Sequence, residues 1–270
     1  MKIAIVGAGI VGVTTAYELA NDGHEVTVFE QRNAAAEEAS FATAGLLAPQ
    51  LFNPWATPGF GHALRVMGPQ ATLRLAGGLN PANWAWLRRW RSIERSASAP
   101  AAALERLAQY SQSRIDTIAT RHDLDFEASE GRLVLLRTEQ ERAPLQPALQ
   151  VLRDCGVVAH EIDADAARKI EPGLSSDAPL AGAIHLPGAS AGNCRLFAQL
   201  LRQGTQGSGV HFVLSTRVDR INSSPTGLTV EGESDLRRFD AIVLCAGGAS
   251  ASFLLPLGLR LPMASVYGYS

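Results

Sequence analysis

The chain opens on an unbroken apolar run, Ile3-Ala4-Ile5-Val6, closed by Gly7. A run this short, bounded by a glycine, predicts a buried strand over residues 2–6. Behind it Ile10, Val13, Ala16, Tyr17 and Ala20 recur at helical spacing and predict a helix over 10–21, ending at the turn signal Asn21-Asp22-Gly23. Residues 25–30 alternate instead, with Val26 and Val28 on one face and Thr27 and Phe29 on the other. They predict a second strand, and the helix between the two obliges it to run parallel to the first. A complete βαβ unit therefore fits within residues 1–30.

Residues 33–60 carry Gly45, Pro49, Pro54, Pro58 and Gly59 among apolar positions and predict a long loop that lines a ligand. Residues 61–122 predict three helical pieces, broken at Gly68-Pro69, at Gly77-Gly78 with Pro81, and at Pro100; the last carries Leu104, Leu107, Ile115 and Ile118 on one stripe. From 126 onward short strands are predicted at 132–137, 181–186, 210–214, 217–221 and 227–230, with helices near 138–154 and 193–206. Irregular spacing of this kind predicts an antiparallel second layer. Residues 240–245, capped by Ala246-Gly247-Gly248, read as a buried strand returning to the first sheet.

Composition narrows the function classes. A chain of 270 residues with 46% hydrophobic and 19% charged residues is that of an ordinary globular protein, and a formal net charge of -2 provides no field to hold nucleic acid. Cys155, Cys194 and Cys245 form no Cys-x-x-Cys and predict neither disulfides nor a zinc site. The six histidines show no metal-ligand spacing in the sequence, so no metal is expected. No G-x-S-x-G nucleophile motif supports hydrolase chemistry. The start lacks the features of a signal peptide and no apolar run reaches the length of a membrane span, which leads to an expected cytoplasmic location.

The motif that carries chemistry is Gly7-x-Gly9-x-x-Gly12, set between the predicted strand and helix, with Glu30 closing the next strand. Gly7 permits the tight turn, Gly9 lets backbone approach a pyrophosphate, and Gly12 lets helix pack close to strand. The helix amino end offers N–H groups and partial positive charge to phosphates. Glu30 accepts from an adenosine ribose and repels a 2′-phosphate, which disfavours NADP. The fingerprint alone does not separate NAD from FAD. FAD is favoured by the absence of a second glycine fingerprint, by the early departure into a long excursion, and by the return at 240–245.

Together with this unit, Ser40-Phe41-Ala42-Thr43-Ala44-Gly45, Pro54-Trp55-Ala56-Thr57-Pro58-Gly59, Gly192-Asn193-Cys194-Arg195-Leu196-Phe197, Ala246-Gly247-Gly248-Ala249-Ser250 and Gly268-Tyr269-Ser270 resemble the glycine/D-amino acid oxidase family of flavoproteins across nearly the whole chain. The resemblance implies an α/β fold: a Rossmann-like FAD-binding domain from 1–60 and 190–250, and a partial α+β, mainly antiparallel, substrate domain from 61–189 and 251–270. It implies non-covalent FAD and oxidation of a D-amino acid to an imino acid that hydrolyses to a 2-oxo acid and ammonia. Hydride would leave the substrate Cα for flavin N5, and electrons would pass to a quinone. Position by position it places Gly7, Gly9 and Gly12 at the pyrophosphate and Glu30 at the ribose, with Ile10 and Gln31 also among the cofactor-binding residues. Ser40, Thr43, Ala44, Gly45 and Leu46 run past the pyrophosphate toward the flavin, Val218 presents backbone to adenine, and Ala246 and Gly247 close over the phosphates. Thr43 stands where the family usually has asparagine and Tyr267 where it usually has lysine. The resemblance identifies no catalytic side chain.

Relatives of this family continue past the Gly-Tyr-Ser run, so the end reads as a truncation, with residues 261–270 as a strand awaiting a partner and FAD held weakly. Trp84, Trp86 and Trp90 interleave with Arg88, Arg89, Arg91 and Arg95. The pattern fits a core stripe with a solvated basic face, or a peripheral anchor on the inner face of the cell membrane. Glu37 and Glu38 are expected to face solvent. Two rival readings are an oxidase that uses O2 and an inactive nucleotide-binding module.

Overall fold

In the computed structural model, which describes residues 1–47, 84–86, 88–89, 98–205, 207–261 and 263, the chain divides into two compact units. The first comprises Met1–Gly45, Ile118–Ala128 and Gly192–Ser270; the second comprises Leu46–Thr117 and Ser129–Ala191. In chain order the elements are β1 (Lys2–Val6), α1 (Ile10–Asn21), β2 (Glu25–Phe29), β3 (Leu46–Leu47), α2 (Ser98–His122), β4 (Ser129–Leu136), α3 (Gln146–Asp154), β5 (His160–Ile162) and α4 (Ala164–Ile170). There follow β6 (Gly182–Ala191), α5 (Cys194–Thr205), β7 (Val210–Val213), β8 (Val218–Ser223), β9 (Thr226–Val230), β10 (Arg237–Arg238), β11 (Ala241–Leu244) and α6 (Ser250–Leu254).

In the first unit a parallel sheet runs in the order β11-β1-β2-β7. Ile3, Ala4, Ile5 and Val6 are all buried, the burial on both faces that makes a parallel strand read as a continuous apolar run. β1 and β2 lie side by side in the same direction, Ile3 opposite Val26 and Ile5 opposite Val28, as the βαβ reading requires. β11 flanks β1, so the predicted return to the first sheet is present. Ala4, Val6 and Phe29 cluster with Val218, Leu228 and Val230 of the antiparallel meander β8-β9-β10. α1 packs against β2 and α5, and α5 buries Phe197, Ala198, Leu201 and Thr205 along one stripe.

The second unit is built on an antiparallel sheet in which β6 pairs β4 along one edge and β3 and β5 along the other. Leu149 and Leu152 of α3 pack on Leu136, Ile184 and Leu186, and burying each such leucine contributes about 1.5–3 kcal/mol. Residues 46–47 belong here rather than with the preceding loop because they pair with Ala191 and Ser190.

Several helical expectations change. The segment 138–154 is two tight turns, Glu139–Glu141 and Ala143–Leu145, followed by α3, because Pro144 has no N–H to continue an α-helix upstream. Pro100 does not break a helix; it sits in the first turn of α2, where its missing N–H has no intrahelical partner to lose. The stripe predicted on α2 is only partly inward: Ile118 is buried, but Leu104 and Leu107 are exposed while Glu105 is fully buried. The two earlier helical pieces lie almost wholly outside the described residues, as do Val266, Tyr267 and the Gly268-Tyr269-Ser270 run. The elements absent from the prediction, β3, β5, α4, β10 and α6, span 2, 3, 7, 2 and 5 residues. These are too short to express a period.

Candidate dinucleotide-binding site

The turn from β1 into α1 requires its glycines. Gly7 has φ +101, and a Cβ on it would approach the Cys245 carbonyl oxygen to 2.6 Å. A Cβ on Gly12 would overlap the Gly7 carbonyl oxygen, and one on Gly9 would lie 3.2 Å from Ser40 Oγ. The loop is therefore a bare backbone cradle with Cys245 and Ala246 of the β11 exit against it. α1 carries no acidic residue in its own first turn; the carboxylate of Glu30 reaches the turn before it, at Ala8 N–H.

Glu30 stands at the end of β2, 7% exposed. Its Oε2 accepts from Ala8 N–H at 2.7 Å and its Oε1 from Arg32 N–H at 2.9 Å. A carboxylate has about four acceptor positions, so each oxygen keeps capacity for a hydroxyl donor. The segment leading to Val218 is laid against this residue: Thr216 N–H donates to the Glu30 carbonyl and Ser215 N–H to that of Arg32, both at 2.8 Å. Val218 itself is buried and opposes Val230.

The loop after β2 is stitched to the glycine turn and to α5. Ala36 N–H donates to the Ala8 carbonyl at 3.0 Å. Ser40 is buried, and its Oγ accepts from Ile10 N–H at 3.0 Å. Thr43 Oγ1 accepts from Gly45 N–H at 3.1 Å, and the Gly45 carbonyl accepts from Gly192 N–H at 2.9 Å. Cys194 is hydrogen-bonded to the side chains of Thr43 and Ser40, yet burial dominates and pushes its thiol above the usual cysteine value. Burial pushes Cys245 up likewise, against a smaller opposing bond from Thr15. Both are protonated at neutral pH and behave as small packing groups. All three cysteines are free.

The structure thus gathers Gly7, Gly9, Ile10, Gly12, Glu30, Ser40 and Ala246 around the amino end of α1. Gly247 has φ +52 and opens the short turn Gly247–Ala249 with free space about its Cα. Gln31 is exposed and reaches Glu38 instead, at 3.2 Å. Leu46 is exposed at the start of β3. The glutamate pair does not simply face solvent: Glu38 pairs with Arg32, and Glu37, with its side chain 25% exposed, pairs with Arg195 at 2.5 Å. Sequence reasoning did not single out Ala8 or Ala36 as parts of the turn, because backbone hydrogen bonds leave no side-chain signal.

Outside this cluster, antiparallel pairing of β5 with β6 sets His160 opposite His185, ring centroids 6.5 Å apart, a proximity no sequence spacing reveals. Among the described residues no three His, Cys, Asp or Glu side chains converge as a metal set. Trp84 is 54% exposed, against the core reading, beside exposed Arg88 and Arg89; Trp90 lies outside the described residues.

Comparison with known proteins gives the family and its relatives. The profile of the DAO family, described as FAD dependent oxidoreductase, matches residues 2–270. A D-amino acid dehydrogenase of Rhizorhabdus wittichii is 36% identical over 277 residues, covering 100% of this chain and 67% of that protein. One from Cereibacter sphaeroides is 38% identical over 280 residues, covering 100% of this chain and 64% of its own length. Among solved structures, glycine oxidase from Geobacillus kaustophilus superposes with a TM-score of 0.65 at 23% identity, covering 96% of this chain and 58% of that one. L-amino acid deaminase from Proteus myxofaciens gives 0.64 at 17% identity, covering 96% and 48%. The chain spans about two thirds of the length of the relatives it matches.

Proposed function

This chain belongs to the DAO family of FAD-dependent oxidoreductases, and from that membership we propose that it serves the oxidative deamination of D-amino acids to 2-oxo acids and ammonia, with FAD held on the first unit. The observation that carries the reading is the bare cradle of Gly7, Gly9 and Gly12 beside a buried carboxylate, Glu30, on adjacent parallel strands. That set fits a dinucleotide: α1 presents first-turn N–H groups to phosphate and Glu30 keeps acceptor capacity for ribose hydroxyls. Identity of 36% and 38% to two D-amino acid dehydrogenases supports the substrate class.

Gly7, Gly9, Ile10 and Gly12 would hold the pyrophosphate and Glu30 the ribose. Ser40 and residues 43–46 would extend toward the flavin, Val218 would meet adenine, and Ala246 with Gly247 would close the phosphate side. Bound FAD supplies the two-electron acceptor for oxidation at the substrate Cα. The protein's own part is to bind, orient and exclude water. We assign the antiparallel unit, Leu46–Thr117 with Ser129–Ala191, to the substrate side.

A quinone is the proposed electron acceptor. Anaerobic addition of mixed D-amino acids to the FAD-loaded protein is expected to bleach the visible flavin band, with L-isomers leaving it unchanged. Bleaching by L-isomers alone, or by neither, contradicts the reading, and rapid peroxide formation in air identifies an O2-using oxidase instead.

No helix among the described residues is long and apolar enough to cross a membrane. The reading of a cytoplasmic protein seated on the inner face of the membrane is supported by exposed Trp84 near exposed Arg88 and Arg89. Anionic liposomes are expected to co-sediment the protein and shift its Trp fluorescence; no sedimentation at low salt contradicts the anchor.

A further inference from the structure

The loop that carries Ser40 is tied to the start of α5 as well as to the glycine turn. Arg195, in the first turn of α5, pairs through Nη2 with Glu37 Oε1 at 2.5 Å, and its Cζ lies 4.3 Å from the centroid of the Phe41 ring. The two contacts bracket Ser40, whose Oγ accepts from Ile10 N–H in the first turn of α1. Neighbours of Arg195 grip the same loop farther on: Cys194 through Ser40 and Thr43, and Gly192 through the Gly45 carbonyl. The arginine's own base is firm. Asn193 Oδ1 accepts from Leu196 N–H at 3.0 Å, while Asn193 Nδ2 donates to Glu127 Oε2 at 2.9 Å, so the start of α5 is capped and tied.

The Nε of Arg195 is buried and has no hydrogen-bond acceptor among the described residues. The same holds for Arg168 Nε and Arg202 Nε, so the orphaned nitrogen is not peculiar to this residue. What the geometry keeps at Arg195 is the flat guanidinium on Phe41 with its charge on Glu37, a combination lysine cannot reproduce.

Resting on the FAD reading above, we propose that Arg195 is a positioning residue for the dinucleotide. By clamping residues 37 and 41 it seats Ser40 on the amino end of α1 and so sets affinity for the phosphate and flavin side of FAD. The adenosine side, held by Glu30, is untouched by it.

The test compares FAD with adenosine, which reaches Glu30 without phosphates. Flavin fluorescence titration is expected to show Arg195→Ala weakening FAD about tenfold, the combined loss of a part-exposed ion pair and a cation–π contact. Arg195→Lys weakens it nearly as much. Adenosine binding, followed by ligand-observed NMR, stays unchanged in both. Should Arg195→Ala fail to fold, Glu37→Gln removes the charge while keeping the shape and is expected to weaken FAD about threefold with adenosine unaffected. Unaltered FAD affinity in the folded variants overturns the inference. Equal losses for FAD and adenosine also overturn it, since they mark a general structural role. A wild-type protein that binds adenosine but no FAD overturns the functional reading itself, and this inference with it.

Discussion

Gly12→Ala is expected to cost the protein both its cofactor and much of its stability. The added methyl would occupy the position of the Gly7 carbonyl oxygen, which is backbone and cannot rotate aside, so α1 must move off β1 or the turn must open. Overpacking of this kind costs about 3 kcal/mol, which lowers the melting temperature by about 6–12 °C. The displaced first turn also carries the N–H groups assigned to pyrophosphate, so the variant is expected to elute colourless from FAD-containing buffer. Thermal melting with a flavin absorbance reading checks both. Wild-type melting with retained FAD contradicts the cradle.

Glu30→Gln separates charge from shape at the ribose. The wild-type carboxylate takes Ala8 N–H on one oxygen and Arg32 N–H on the other. A glutamine has one carbonyl oxygen, so its NH2 group must face one of these donors, leaving a buried N–H unsatisfied at a cost of about 1–3 kcal/mol. Ribose hydroxyls meanwhile lose a charge-assisted acceptor worth about 1.5–3 kcal/mol, so FAD affinity is expected to fall roughly 10- to 100-fold. Adenosine affinity falls in parallel, which distinguishes this variant from Arg195→Ala. Equilibrium titration with both ligands checks it, and an unchanged adenosine affinity removes Glu30 from the ribose.

How much of this was legible in the sequence depends on range. Strand, turn and helix at the start follow from local rules: a short apolar run, a glycine where φ must be positive, and apolar spacing that returns at α1. β11 was legible from its continuous apolar run, Ala241 to Leu244, although it stands at the edge of the sheet beside β1 and is half-buried rather than buried as expected. The loop over 33–46 was legible as ligand-lining from its composition, but not its construction. Ala36 docks on Ala8 by backbone alone, and Arg195 finds Glu37 across 158 positions of sequence, a separation at which no pattern of charge carries information. α2 misled because spacing reports amphipathicity and not direction: the stripe including Leu104 and Leu107 exists, yet the helix turns Glu105 inward. His160 and His185 illustrate the same limit, since only the antiparallel register of β5 on β6 makes them neighbours.

The dinucleotide is expected to lie across the amino end of α1. A crystal structure of the protein with FAD is expected to show pyrophosphate density against the first-turn N–H groups following Gly9 and ribose hydroxyls on Glu30. Density for the dinucleotide anywhere else, or Glu30 still holding only Ala8 and Arg32 with the ribose out of its reach, would contradict it.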